Sequence, residues 1–262
     1  MAGAAGRMGR RIIALAAEDA RFELAAALEP AGSAALGRDA GELAGIARTG
    51  VPVTDTLQGA FDVLIDFSTP AGTAHWLEVC QREGRAMVIG TTGHDAALGK
   101  GISQAVARIP VLKSANMSVG VNVLLRVVEQ LSEVLDATYD VEIVEAHHRF
   151  KIDAPSGTAL ALRDAVQKGR SVLGGPAPTV VHGRQGQTGQ RPTGEIGMHA
   201  LRMGDTVGEH TVYFGNLGET IHVGHSAHSR DTFAAGALRA AAWLSGRGAG
   251  LYDMKDVLFG NA

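Results

Sequence analysis

An α/β fold in two parts is what this sequence predicts. The first part is a parallel sheet layered with helices, and the second is an α+β unit on a mostly antiparallel or mixed sheet. Two observations lead there. The first half alternates short apolar runs with apolar residues at helical spacing, the grammar of strand–helix–strand units. After Asn116 that alternation gives way to one long amphipathic helix, a strand, another helix and then several strands in succession. The 262 residues, 45% of them apolar, suffice for sizeable cores. The expected boundaries place 1–118 with 229–262 in the first domain and 119–228 in the second.

Taken in chain order, the spacing predicts a helix over 10–17, a strand over 22–28 and a second strand over 61–67 (FDVLIDF). A helix over 73–83 follows, then strands at 86–89 and 111–112. The long amphipathic helix covers 119–135, with a strand at 139–145 and a helix at 158–167. Residues 173–195, rich in Gly, Pro, Gln and Thr, read as an extended loop that covers a site or crosses to another subunit. Strands are expected at 198–203, 209–214 and 219–226, and helical segments at 232–245 and 254–258.

Composition excludes several classes of protein. A formal net charge of −3, from 24 Lys+Arg and 27 Asp+Glu, leaves no basic block for nucleic acid. One cysteine, Cys80, rules out an intrachain disulfide framework and a multi-cysteine zinc site. No apolar run approaches the roughly 18–20 residues of a membrane span. The start lacks the charged-then-apolar pattern of a signal peptide, so a soluble, cytoplasmic protein is expected. Thirty-five glycines point to close backbone approaches rather than bulky packing.

The run Gly3-Ala4-Ala5-Gly6-Arg7-Met8-Gly9 opens a helix. Glycines there let the backbone approach a pyrophosphate, and a helix N-terminus offers it free N–H groups and partial positive charge. The spacing G-x-x-G-x-x-G is a weak signal alone, and a glycine turn with a chance surface glutamate would look the same. Glu29, 20 residues after Gly9 at the end of the next strand, strengthens the dinucleotide reading, because an acidic side chain there holds a ribose diol. A Rossmann-type domain needs a full strand before its glycine loop, and only Met1 and Ala2 precede Gly3. The expectation is a truncated first strand or an internal start, with marginal stability or weak cofactor binding.

The densest chemistry lies at 145–159, EAHHRFKIDAPSGTA. A strand delivers two histidines and a lysine into a loop, and a helix starts near Ser156 or Gly157. That helix start, with Gly157 and Thr158, suits a carboxylate. His147 titrates near neutrality and suits proton transfer. Lys151 supplies fixed charge, or a proton if burial lowers its pKa.

This run resembles the signature of the 4-hydroxy-tetrahydrodipicolinate reductase (dihydrodipicolinate reductase) family of lysine and diaminopimelate biosynthesis. GAAGRMG at 3–9, IDFSTP at 65–70, VIGTTG at 88–93, SANMSVGVN at 114–122 and GDTVGEH at 204–210 agree with it. The resemblance implies reduction of a cyclic hydroxy-tetrahydrodipicolinate to tetrahydrodipicolinate, with loss of water, by NADH or NADPH and without a metal. It implies His147 and Lys151 as catalytic proton donors or acceptors. His148, Gly157 and Thr158 correspond to substrate contacts. Gly3, Ala4, Ala5, Gly6, Arg7 and Met8 match the pyrophosphate loop, and Glu29 the adenosine-ribose position. Gly90, Thr91 and Thr92, with Ser114, Ala115, Asn116 and Met117, match segments lining the nicotinamide side. A homotetramer built through the second domain, and a small dicarboxylate substrate, are implied likewise.

One departure bears on the cofactor. Some members follow the ribose glutamate with a basic residue, and here Pro30 follows Glu29, leaving Arg7 nearest to a 2′-phosphate. NADH is therefore expected to serve at least as well as NADPH. Two other readings remain: a different NAD(P) dehydrogenase of amino-acid metabolism, and a nucleotide-sensing module without turnover. His222, His225 and His228 suggest a metal, but a spacing of three on a strand sends neighbours to opposite faces. Cys80, Trp76 and Trp243 read as packing residues.

Overall fold

The structure is a computed structural model that describes residues 1–260. The chain divides into two compact units, one of Met1–Val119 with the chain from Arg230 on, the other of Gly120–Ser229. The first unit begins with α1 (Arg7–Ala17), β1 (Ala27–Leu28), α2 (Ala40–Ala44), β2 (Val53–Thr54) and β3 (Val63–Asp66). It continues through α3 (Pro70–Glu83), β4 (Ala86–Ile89), α4 (Ala96–Ala105) and β5 (Pro110–Lys113). Helix α5 (Val119–Val134) opens the second unit, followed by β6 (Asp140–His147), α6 (Gly157–Ser171) and β7 (Thr179–His182). Strands β8 (Glu195–Arg202), β9 (Gly208–Asn216) and β10 (Glu219–Ala227) complete it. The chain then returns to the first unit as α7 (Asp231–Leu244), β11 (Gly250–Tyr252) and α8 (Met254–Phe259).

In the first unit every strand pairing is parallel, in the order β11-β5-β4-β3, then Ala2, then β1-β2. Period two sorts its strands between two cores. Leu64, Met87, Ile89 and Val111 pack with Trp76, Leu77, Cys80 and Ile102 of α3 and α4. Ile65, Val88 and Leu112 pack with Ile12, Leu238 and Leu244 of α1 and α7. Burial on both faces explains why AMVI in β4 has no polar alternation. Helix starts are set by side chains that accept first-turn N–H bonds: Asp39 for α2, Thr69 ahead of Pro70 for α3, and Asp95 for α4.

The second unit is a mixed sheet in the order β10-β9-β6-β8-β7, with β6–β8 and β7–β8 parallel and the others antiparallel. Leu124, Val128, Leu162 and Val166 of α5 and α6 cover Val141, Ile143, Ile196 and Phe214 on one face. On the other, Glu142 pairs with Arg184, Arg191 and His199.

Several expectations need correction. The strand expected at 22–28 is regular only at Ala27–Leu28, because β2 offers just two residues to pair with it and Ala2 bridges only Leu28. The loop expected at 173–195 contains β7, whose short Thr-Val-Val-His run becomes a strand only by pairing with β8. Helices α2 and α4 and strands β2 and β11 lie outside the expected elements, being short or Gly-interrupted. Cys80 packs as expected: it is fully buried, and burial first, with the Asp66 charge second, pushes its thiol up to about 12. His222 and His225 fall on opposite faces of β10, as their spacing requires.

Met1 and Ala2 act as a two-residue strand between β1 and β3. The N–H of Ala2 donates to the Ile65 carbonyl (2.9 Å), and the Leu28 N–H donates to the Met1 carbonyl (2.8 Å). The Met1 amine, donating to the Ala26 carbonyl at 2.8 Å, is lowered to about 5 by burial. Beside it lies a cavity of about 880 Å³ lined by Ile12, Phe22, Leu24, Leu64 and Leu238, among others. Parallel pairing alternates, so on the edge of β3 away from β4 the Ile65 carbonyl is taken by Ala2 and the Val63 backbone lies beside this cavity. Four β-branched apolar residues added before Met1 would extend the ladder and fill the space. Each buries apolar area worth about 1.5–3 kcal/mol against an ordering cost of about 1–2 kcal/mol. The expected result is a Tm higher by about 4 °C or more in differential scanning calorimetry. An unchanged Tm would show that the cavity does not accept a strand.

Candidate active site

In the first unit, three loops leave the carboxyl ends of parallel elements on either side of β3. Gly3 to Met8 follow Ala2, Gly90 to Thr92 follow β4, and Ser114 to Met117 follow β5. Ligands of such sheets sit beyond strand carboxyl ends. Gly6 is the N-cap of α1 and brings no side chain to its first-turn N–H groups. A Cβ on Gly9 would lie 2.1 Å from the Gly3 carbonyl oxygen, and one on Gly3, at φ +77°, 2.4 Å from that of Phe67. The loop therefore has a bare backbone at the tip of α1, a cradle that fits a pyrophosphate. Glu29, just past β1, accepts a 2.7 Å hydrogen bond from the Ala5 N–H, which sets its carboxylate against this loop. Arg7 is exposed, while Arg10 donates to the Ala5 carbonyl at 2.7 Å.

The Gly90–Thr92 loop is anchored by a residue that sequence reasoning passed over. Asp66 is fully buried and accepts from the hydroxyls of Ser68 (2.5 Å), Thr73 (2.5 Å) and Thr91 (2.9 Å). Gly90 lies so close to the Phe67 ring that a Cβ would come within 2.3 Å of it. On the third loop, the Ser114 hydroxyl donates to the Asn116 carbonyl and the Ser118 N–H to the Asn116 side chain. Met117 is buried, while Ala115 and Thr92 are exposed.

In the second unit the chemistry gathers at the carboxyl end of β6. Glu145 and His147 are two apart on one strand, hence on the same face. Register then sets His210 of β9 beside Glu145 and Arg202 of β8 beside His147. The His147 Nδ1 lies 2.5 Å from Glu145 Oε2. Arg202 donates to both oxygens of Glu145 at 2.8 Å, and the Ser156 N–H donates to Oε1 at 3.0 Å. Burial works to raise the Glu145 carboxyl, but hydrogen bonds from Arg202, His147 and the Ser156 N–H outweigh it and hold the group below its usual range. Burial lowers His147; the Glu145 carboxylate opposes that, and the charges of Lys151 and Arg202 add to it. His210, buried and donating or accepting at 3.1 Å with the Ser156 hydroxyl, is lowered to about 4 by burial and by the His147 charge.

Lys151 Nζ donates to Asp153 at 2.8 and 2.9 Å. His148 has a buried Nδ1 without a partner among the described residues. Ser156 is the N-cap of α6, accepting from the Ala159 N–H, so Gly157 and Thr158 form that helix's first turn. Glu145, Arg202 and His210 had no role in the sequence reading. The i, i+2 spacing of Glu145 and His147 was a usable signal, whereas Arg202 reaches the site through register alone. Among the described residues no group of three metal-binding side chains occurs, and no helix is long and apolar enough to cross a membrane.

A parallel-sheet unit with a bare glycine cradle, followed by a mixed-sheet unit carrying a His–Lys loop, has the layout of a two-unit nucleotide-dependent enzyme. The family description "Dihydrodipicolinate reductase, N-terminus" matches residues 1–117, and "Dihydrodipicolinate reductase, C-terminus" matches residues 120–258. The chain belongs to the dihydrodipicolinate reductase family. It is accordingly an NAD(P)H-dependent reductase of lysine and diaminopimelate biosynthesis, and the sensing-module and other-dehydrogenase readings are not favoured. Among solved structures, the dipicolinate-bound dihydrodipicolinate reductase from Paenisporosarcina sp. TG-14 is similar at 22% identity, with a TM-score of 0.75 over 96% of this chain and 95% of that one. An amine dehydrogenase from Mycobacterium smegmatis is similar at 11% identity, with a TM-score of 0.53 over 93% and 91% of the two chains. Both likenesses concern the fold.

The close approach at Gly9 gives a direct test of the cradle. Gly9→Ala should weaken NADH binding more than about tenfold in a fluorescence titration and lower Tm, because its methyl meets backbone rather than a movable side chain. Wild-type affinity would show that the loop is not the pyrophosphate site.

Proposed function

We propose that the reductase works on its dicarboxylate substrate through His147 and Lys151, with His148 and the first turn of α6, Gly157 and Thr158, holding a carboxylate. The observation that carries this reading is the clustering, within one unit, of a half-buried histidine, an ammonium and a helix start. A reduced nicotinamide nucleotide, held by its pyrophosphate at the glycine cradle, would supply hydride. Loss of water breaks the ring C–OH bond and a neighbouring C–H bond, so one proton goes to the departing hydroxyl and one leaves carbon; hydride addition then takes up a proton at the neighbouring carbon or nitrogen. His147 or Lys151 gives the protons to the hydroxyl and the ring and accepts the one from carbon, the net proton consumed coming from solvent water. Lys151, now paired with Asp153, is a cation already held by one carboxylate, and a substrate carboxylate competes for the same ammonium.

The cofactor loop comprises Gly3, Ala4, Ala5, Gly6, Arg7 and Met8, with Glu29 at the ribose. Gly90, Thr91, Thr92, Ser114, Ala115, Asn116 and Met117 serve the nicotinamide side. Glu29 opposes a 2′-phosphate electrostatically and Pro30 adds no compensating charge. The second unit is the substrate and oligomerisation domain of a cytoplasmic homotetramer.

Two measurements test this, both following NADH absorbance with enzymatically generated hydroxy-tetrahydrodipicolinate and aspartate semialdehyde as control. Lys151→Ala should lower kcat by about 10²-fold or more, the usual worth of a general acid. An unchanged kcat with a raised KM alone would reduce Lys151 to a binding role. The kcat/KM for NADH should at least equal that for NADPH, and the threshold for refutation is a tenfold NADPH preference, a gap of about 1.4 kcal/mol. A larger preference would overturn the role given to Glu29 and Pro30.

A further inference from the structure

We propose that Glu145 is a positioning residue that decides which nitrogen of His147 exchanges the proton: its carboxylate takes the Nδ1–H and leaves Nε2 as the working nitrogen, while Arg202 clamps the carboxylate. This deepens the assignment of His147 above and rests on it. The geometry carries it. Glu145 Oε2 lies 2.5 Å from Nδ1, and an ionised carboxylate only accepts, so Nδ1 is the donor. The same carboxylate receives two bonds from Arg202 and one from the Ser156 N–H, which leaves it no freedom to turn away. On the opposite edge of the ring, Nε2 lies beside Gly208, where a Cβ would stand only 3.1 Å away. A glycine at that position spares Nε2 a close side-chain contact.

The groups facing His147 are Glu145 from its own strand, Lys151 from the following loop, Arg202 from β8 and His210 from β9. His210 is neutral at pH 7, with its ring 5.1 Å from that of His147, so the field at His147 is set by the Glu145 carboxylate against Arg202 and Lys151, the latter partly offset by its Asp153 partner.

Glu145→Gln makes the role visible. The amide oxygen keeps the Ser156 N–H and one Arg202 N–H, Arg202 loses its second acceptor, and the NH₂ takes the place of Oε2 beside Nδ1. The ring must then carry its proton on Nε2, the wrong tautomer. In ¹⁵N NMR of the free protein, His147 should be the Nδ1–H tautomer in the wild type and the Nε2–H tautomer in the variant. The kcat should fall about 10²-fold or more with KM within about threefold, and the ionisation of His147 in the pH–rate profile should move to lower pH. Arg202→Gln removes a cation and should move the same ionisation to higher pH. An unchanged tautomer with kcat within about threefold in Glu145→Gln overturns the proposal. If that variant does not fold, Arg202→Gln decides it, and an unmoved ionisation overturns it. Because the tautomer is read without substrate, a His147→Asn enzyme of full kcat would sink the catalytic assignment while leaving the tautomer result intact.

Discussion

An ionised carboxylate buried at the end of β6 is the constraint around which the second unit is organised. Glu145 is 1% exposed, a depth at which an unpaired charge costs several kcal/mol. Each neighbour answers that cost with a donor: Arg202 from β8, the Ser156 N–H at the start of α6, and His147 two residues on. The consequence for function is geometric. The carboxylate ties together a strand end, a neighbouring strand and a helix N-terminus, so the histidine and the anion-ready first turn of α6 are held in one rigid frame.

In the first unit the corresponding constraint is close backbone approach. Gly9 lies against the Gly3 carbonyl and Gly90 against the Phe67 ring, contacts close enough that neither position has room for a side chain of its own. Asp66 adds a polar anchor under that surface, with every contact a hydroxyl or amide donor. Stability and the shape of the cradle are therefore coupled there, because the atoms that shape the cradle also close the sheet.

Much of this was legible before any coordinates. The alternation of apolar runs and helical spacing pointed to the parallel layer, and the run of strands after α6 to a sheet of another kind. Residues 145–159 read as a strand, a loop and a helix start, and the structure has β6, a loop and α6 there. The misses share a cause. Strand β7 and the short β2 exist only through their pairing, and the expected strand at 22–28 lost regularity where its partners ended. Strand formation is decided by what lies alongside, which no local window contains.

Residue types and their spacing were readable from the chain alone: the glycine loop, the acidic residue after the next strand, the His–His–Lys loop and its helix start. These signals are local, so 3.6 and 2.0 residue periods reveal them. That Arg202 and His210, far from Glu145 along the chain, share its face is a property of the folded molecule and of nothing shorter. Cross-strand register set it, since sliding a strand by one residue would send each of those side chains to the other side of the sheet.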